Sequence, residues 1–419
     1  MSRFDRYFLM GVGDVIEYTL EKTPDIAWNR DAMQAKEIGD GNLNYVFRVW
    51  DDKGHSVIVK HAGEALRISA DMKVSVDRNR IESEILQLQN RFAPGLVPEI
   101  YMYDTVMSAC IMEDLSDHEL MRYALMKHKI FPRFAEDITT YMVNTLLLST
   151  DVVMEHKEKK ALLKTTDVAM EHKAKKDLVK SFINPELCEI TEDLVLTEPY
   201  NDLNGRNLVF EPNRDFVQRE LYDDKRLQLE VAKIKFDFMN NAQALLHGDL
   251  HTGSIFVKED STRVFDPEFA FYGPIGYDVG NVVANLIFAW DNGHAAGNQA
   301  FCGWVLKTIV EVVDLFKQKF LKAFDEHVTD PMAKVPGFKE HYLDSILSDT
   351  AAYTGTELNR RTVGMAQVKD VTAIADPDKR AFAERLNILC AKDCIMNREK
   401  FKQGSDYVDA LLRAAKAAG

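Results

Sequence analysis

One stretch narrows what this chain can fold into and do more than any other. It is His247-Gly248-Asp249-Leu250-His251-Thr252-Gly253-Ser254, followed a short way on by Asp266-Pro267-Glu268. A carboxylate, Asp249, stands five residues before a hydroxyl, Ser254, and two more carboxylates lie two residues apart beyond them. Apolar Val264-Phe265 and Phe269-Ala270-Phe271 flank the second acidic pair, which argues for carboxylates at the edge of a core over a solvated turn around Pro267. Side chains two residues apart on an extended segment project to one face. Asp266 and Glu268 are therefore expected to reach one Mg²⁺ or a close pair.

An Asp base, a metal-binding side chain five residues later and a metal-binding Asp on the next strand form the layout of a protein-kinase catalytic loop. Asp249 takes the base position, Ser254 the position usually held by Asn, and Asp266 the metal position, with Glu268 as an extra carboxylate. A hydroxyl is a shorter and weaker ligand than Asn, so Glu268 is expected to carry more of the coordination. This spacing fits phosphoryl transfer from ATP. A competing reading takes His247, Asp249 and His251 as a metal site, but no further His, Cys or carboxylate cluster with hydrolase-like spacing joins them. Without a metal, His247 would brace the loop by hydrogen bonding.

The loop HGDLHTGS, the stretch VFDPEFAFYGPIGYDVGN from Val264 to Asn281, and Arg360-Arg361 resemble the small-molecule kinases that phosphorylate 5-methylthioribose. The wider group includes aminoglycoside and choline kinases. The resemblance implies an α+β, bilobal protein-kinase-like fold. A small antiparallel β-sheet N-lobe would span residues 1–115, with a hinge at about 113–116, and a large, mainly helical C-lobe would span 116–419. It also implies ATP and Mg²⁺ bound between the lobes, 5-methylthioribose 1-phosphate as product, and a homodimer. In that frame Gly39, Gly41, Asn42 and Asn44 surround phosphate oxygens, and Lys60 contacts phosphates while held by Glu82, with Glu84 the other candidate. Backbone groups between Glu113 and Leu115 meet adenine. Asp278 accepts hydrogen bonds from the catalytic loop or caps a helix, and Arg360-Arg361 faces the sugar. Adjacent helical arginines point about 100° apart, so one of the two is expected to face the substrate directly. Choline, homoserine or an aminoglycoside are the alternative acceptors, and a silent ATP-binding scaffold is the alternative of another class. The arginine pair makes the acceptor end basic, which disfavours choline and aminoglycosides.

Patterning agrees with this order. Tyr45, Phe47 and Val49 alternate with Val46, Arg48 and Trp50, and Asp51-Asp52-Lys53-Gly54 offers a turn into Ser56-Val57-Ile58-Val59-Lys60. Residues 77–92 read as a helix with Ile81, Ile85, Leu88 and Phe92 on one side, and a strand pair follows at 100–103 and 109–112. Helices are expected over 132–149, 223–246, 275–290, 299–324 and 342–370. Another starts at Asp376-Pro377, where Asp suits the N-cap and Pro the first turn, and a last one runs from near Ser405. A 16-residue tandem duplication spans 150–181, Thr150 to Lys160 recurring from Thr166. Sixteen residues rotate a helical side chain by ~160°, so one copy is expected to be expelled as a turn or short added helix. Its His156 and His172 read as solvated.

At 419 residues the chain exceeds one comfortable core. A formal charge of −14 argues against a non-specific binder of nucleic acid or anionic membrane, which needs clustered Lys and Arg. Five cysteines without zinc-type spacing, and an N-terminus without a basic-then-apolar signal, fit a cytoplasmic protein with reduced thiols.

Overall fold

The period-two pattern around Tyr45 forms the centre of an antiparallel sheet. The structure, a computed structural model, describes residues 2–38, 44–63, 65–66, 69–73, 77–153, 179 and 181–419, with the backbone alone at 65–66, 69–73 and 77–78. Gly39, Gly41 and Asn42, and residues 154–178 of the duplicated segment with its two histidines, lie outside the described residues. The chain divides into two units, Met1–His118 with Arg263–Phe269, and Glu119–Thr262 with Ala270–Gly419. The segment Arg263–Phe269, which the sequence reading assigns to the C-terminal region, groups with the N-terminal sheet. Val264 N–H donates to Leu96 and the Arg263 guanidinium to the Val97 carbonyl.

In the first unit, Gln34–Glu37 (β1), Asn44–Trp50 (β2), Ser56–Ala62 (β3), Ile100–Asp104 (β6) and Ala109–Glu113 (β7) build one sheet in the order β1-β2-β3-β7-β6. A separate short pair, Ala65–Leu66 (β4) and Ser69–Lys73 (β5), follows β3. The four pairings of the large sheet are antiparallel, and Phe47 stands opposite Val59. Phe47, Val49, Val57 and Val59 enter a core with Phe4, Val15 and Tyr18 from the N-terminal segment and its helix Val12–Lys22 (α1). Helix α2 spans Asp77–Phe92. Its buried side carries Ile81, Ile85 and Leu86 together with polar Glu82, Ser83 and Gln89. Leu88 and Phe92 are only half-buried, so the packed stripe is rotated and more polar than hydrophobicity suggests.

The second unit is mainly helical: Met121–Met126 (α3), Phe134–Met142 (α4), Pro185–Leu194 (α5), Lys225–Asn240 (α6), Gly276–Ala295 (α7), Gln299–His327 (α8), Phe338–Val363 (α9), Lys369–Thr372 (α10), Pro377–Met396 (α11) and Gly404–Ala418 (α12). The Asp376 carboxylate accepts from the Asp378 and Lys379 amides, which fixes the start of α11 where the Asp-Pro pair predicts it. Three expectations are corrected. The helix expected over 223–246 stops at Asn240, and Ala244–Leu245 is a strand paired with Tyr272–Gly273, because the chain there is buried and bonded across to Phe271. The helix expected over 342–370 starts earlier, after left-handed Gly337, and ends at Gly364, with α10 separate. The helix expected over 132–149 passes into a π-turn at Val143–Leu147.

Two glycines set the geometry on which the site depends. Helix α7 packs on α9, and a Cβ at Gly280 would stand 2.7 Å from the Thr354 nitrogen and 2.8 Å from the Thr350 carbonyl. At Gly276 it would meet the Thr350 nitrogen at 2.5 Å. Backbone, not a movable side chain, blocks both positions. Gly280→Ala should therefore cost on the order of 1–3 kcal/mol by overpacking, read as a lower unfolding midpoint.

Asp349 lies in the same contact, and burial together with nearby Asp237 raises its carboxyl to about 7, against the pull of Arg398. A folded-state value above the unfolded one stabilises fully below pH ~4, and that stability is lost as pH rises toward 7. Asp349→Asn should thus gain thermal stability over the parent between pH 4 and 7, with the advantage level above that range.

Candidate active site

In the first unit the site is built around one ammonium. Lys60, on β3 opposite Val46, is 7% exposed, and its Nζ lies 2.6 Å from Glu82 Oε2 and in contact with Asp266 Oδ1. Burial alone would depress its pKa, but Asp266, Glu82 and Glu268 outweigh it and hold it above the ordinary lysine range. Glu84, the alternative partner, is exposed and pairs with Arg80 at 2.7 Å. Helix α2 is pinned one turn before Glu82 by Asn79, whose amide donates to the carbonyls of Lys60 (3.0 Å) and Ser108 (2.8 Å). Sequence reasoning missed Asn79; its position three residues before a buried Glu was the available signal.

Asp266 and Glu268 do not lie on a regular strand as expected. Asp266 is left-handed (φ 67°) and the chain turns at Glu268, so the same-face argument fails. The two carboxylates are nevertheless held in one locality, since both act on Lys60, and Glu268 accepts from the Asn44 amide at 3.2 Å. Glu113 donates its N–H to the Glu99 carbonyl, and the Leu115 carbonyl accepts from His118. Between them Asp114 is fixed by Arg48 Nε at 2.6 Å.

In the second unit the loop after the strand Ala244–Leu245 turns at Gly248, whose φ of 85° suits glycine. Buried Asp278, in the first turn of α7, accepts from the His247 and Gly248 amides at 2.7 and 3.0 Å. It therefore ties the loop and does not serve as the N-cap, which is Ile275. Burial raises its carboxyl pKa despite these donors. His247 Nδ1 accepts from the Asp249 amide at 3.3 Å.

Asp249 keeps 21% of its side chain accessible. Its Oδ1 accepts from Arg360 Nη2 at 2.7 Å and lies 3.6 Å from Arg361 Nη2, and its Oδ2 lies 3.2 Å from His251 Nε2. Burial works against its charged form, but His251, Arg360 and Arg361 outweigh burial and hold the carboxyl well below the usual range. His251 itself is driven down by burial and by Arg122, against Asp249. Its Nδ1 accepts from the Gly253 amide at 3.0 Å, so the network assigns the proton to Nε2, facing Asp249. A Cβ at Gly253 would strike His251 Cε1 at 2.8 Å and Arg122 Nη1 at 3.1 Å. The Ser254 hydroxyl donates to the Asp249 carbonyl at 3.1 Å.

Both arginines reach Asp249, although neighbouring helical positions diverge. The reason is Glu357, fully buried one turn earlier, which lies 3.0 Å from Arg361 Nε and in contact with Arg360 Nε. Glu357 also offsets the basic character expected of this end. Asn285 of α7 links it to the loop: its amide donates to Glu357 at 3.4 Å and its carbonyl accepts from the Thr252 hydroxyl at 3.1 Å. Glu357, Asn285 and Arg122 were not read from the sequence. The i−3/i−4 spacing of Glu357 was a usable signal, whereas Arg122 carried none.

The His247–Asp249–His251 metal reading does not hold. His247 Nδ1 is taken by backbone, two guanidiniums face Asp249, and among the described residues no cluster of three or more His, Cys, Asp or Glu could hold a metal ion. A pair of hard carboxylates such as Asp266 and Glu268 does fit Mg²⁺, which takes one or two carboxylates and completes its shell with phosphates and water. Among the described residues no helix is long and apolar enough to cross a membrane, and all five cysteines are free.

Residues 196–304 match a family model described as the phosphotransferase enzyme family. A methylthioribose kinase of Bacillus pumilus is 36% identical over 92% of this chain and 92% of its own length. One from Yersinia enterocolitica is 35% identical over 99% of this chain and 100% of its own. The chain belongs to the methylthioribose kinase family. Among solved structures, a choline kinase from Cryptosporidium parvum superposes with a TM-score of 0.38 at 10% identity over 96% of this chain and 95% of that one, too slight a likeness to bear on fold or function.

For this methylthioribose kinase family member, the two glutamates of α2 should separate cleanly. Glu82→Ala leaves a buried cation short of a partner and should cost about 3 kcal/mol in urea unfolding. Glu84→Ala, at an exposed helical pair, should stay within about 0.5 kcal/mol.

Proposed function

We propose that this protein transfers the γ-phosphoryl group of ATP to the anomeric hydroxyl of 5-methylthioribose, giving ADP and 5-methylthioribose 1-phosphate in methionine salvage. The observation that carries the reading is the environment of Asp249: an accessible carboxylate held ionised, with two guanidiniums converging on it. Asp249 orients the sugar hydroxyl and accepts its proton as the oxygen bonds to phosphorus and the bond to ADP breaks. Arg360 and Arg361 supply paired donors to the sugar and to the oxygens of the transferred group. Their N–H groups require oxygen partners, which a quaternary ammonium headgroup does not offer.

The first unit supplies the nucleotide-binding groups. Lys60, held by Glu82, neutralises phosphate charge, and Asn44 joins Gly39, Gly41 and Asn42 near the phosphates. Backbone groups between Glu113 and Leu115 receive adenine. Asp266 and Glu268 would hold Mg²⁺, which when bound neutralises phosphate oxygens; a ligand role for Ser254 is weakened by its bond to the Asp249 carbonyl. Asp278 and His247 keep the loop in shape. Family membership further suggests a cytoplasmic homodimer.

Purified protein should consume ATP only with Mg²⁺ and a 5-thio-substituted ribose. Asp249→Ala should lower turnover by at least about 10³-fold while leaving nucleotide binding intact. Turnover with choline or homoserine and none with methylthioribose would overturn the substrate assignment.

A further inference from the structure

Glu357 carries a role that neither the loop chemistry nor the arginine pair explains by itself. It is fully buried, and each of its carboxylate oxygens takes the Nε of a different arginine, Oε2 that of Arg360 and Oε1 that of Arg361 at 3.0 Å. The terminal Nη2 groups of both arginines are left directed at a single atom, Asp249 Oδ1, at 2.7 and 3.6 Å. Consecutive positions on a helix diverge by about 100°, so two neighbouring guanidiniums do not meet at one oxygen unless something draws them together. The i−3/i−4 carboxylate does so.

Glu357 is itself anchored. Asn285 donates to its Oε1 at 3.4 Å, and the same Asn285 carbonyl accepts from the Thr252 hydroxyl in the loop that carries Asp249. Burial would favour the protonated acid, but Arg360 and Arg361 outweigh it and keep Glu357 ionised.

We propose that Glu357 is a positioning residue for phosphoryl transfer. It clamps both guanidiniums by their Nε atoms so that their outer forks are aimed together at the oxygen being phosphorylated beside Asp249. This rests on the kinase reading above. As the hydroxyl proton passes to Asp249, that carboxylate loses its charge and its hold on the arginines. The clamp keeps the forks in place for the phosphate oxygens, which then take the place of Asp249 beside Glu357 as their anionic partners. A residue with this role acts only through the arginines, whereas one that merely stabilises the unit acts whether or not they are present.

A double-mutant cycle separates the two. In the parent protein Glu357→Gln should lower kcat/KM for methylthioribose by about 100-fold, the scale of a misaimed group near the chemistry, with KM for ATP unmoved. In an Arg360→Ala/Arg361→Ala background the same change should cost less than about 3-fold, because nothing remains to aim. Glu357→Asp keeps the charge but shortens the reach, should fall in the same direction, and carries the cycle if the Gln variant does not fold by circular dichroism. Equal losses in both backgrounds would overturn the role of Glu357 while leaving the kinase reading intact. Absence of sugar phosphate from the parent protein would overturn the kinase reading and this inference together.

Discussion

Backbone contact between α7 and α9 is the constraint on which the second unit's chemistry rests. Gly276 and Gly280 let the two helices touch without intervening side chains. That closeness lets one helix supply Asp278 and Asn285 while the other supplies Glu357, Arg360 and Arg361. Asp278 holds the loop from below by its amides, and Asn285 bridges the loop to Glu357. A wider helix spacing would keep every residue and lose their convergence. The charged groups also need the arrangement, since each buried charge here is tolerable only because another stands against it.

The first unit solves a similar problem with a sheet. A lysine in the middle of an apolar strand would be costly to bury alone, and three carboxylates make it stable as a cation. Two of them come from one distant chain segment, Arg263–Phe269, held to the unit by the Val264 N–H on the Leu96 carbonyl and the Arg263 guanidinium on the Val97 carbonyl. Asn79 satisfies two carbonyls and fixes α2 so that Glu82, one turn away, is correctly placed. In the other unit Asn285 bonds the carboxylate of Glu357 directly, across from a neighbouring helix.

Much of this was legible before any coordinates. Strands around Tyr45 and Lys60, helix α2 at its observed limits and the Asp376-Pro377 start of α11 follow from local periodicity and capping, which depend on neighbours in sequence. The α+β division, with its sheet first and helices after, came from the family resemblance, and the same patterns agree with it. Legibility failed where distant segments decide the outcome. Ala244–Leu245 reads as the end of a helix and becomes a strand because Tyr272–Gly273 pairs with it. Asp266 reads as extended and turns left-handed. Arg360 and Arg361 read as diverging and meet, since a side chain's course depends on its partner as well as its Cβ direction. Arg122 is visible as a site residue only once the second unit is folded.

The left-handed backbone at Asp266 places two demands on one position. Glycine would adopt that conformation with the least strain but would offer neither charge to Lys60 nor oxygen to a cation. Asn tolerates it and keeps an oxygen, yet forfeits the charge. Glu retains the charge on a side chain less at ease there and a methylene longer. Variation at this position is thus confined from two independent directions, conformational and electrostatic, and aspartate alone satisfies both.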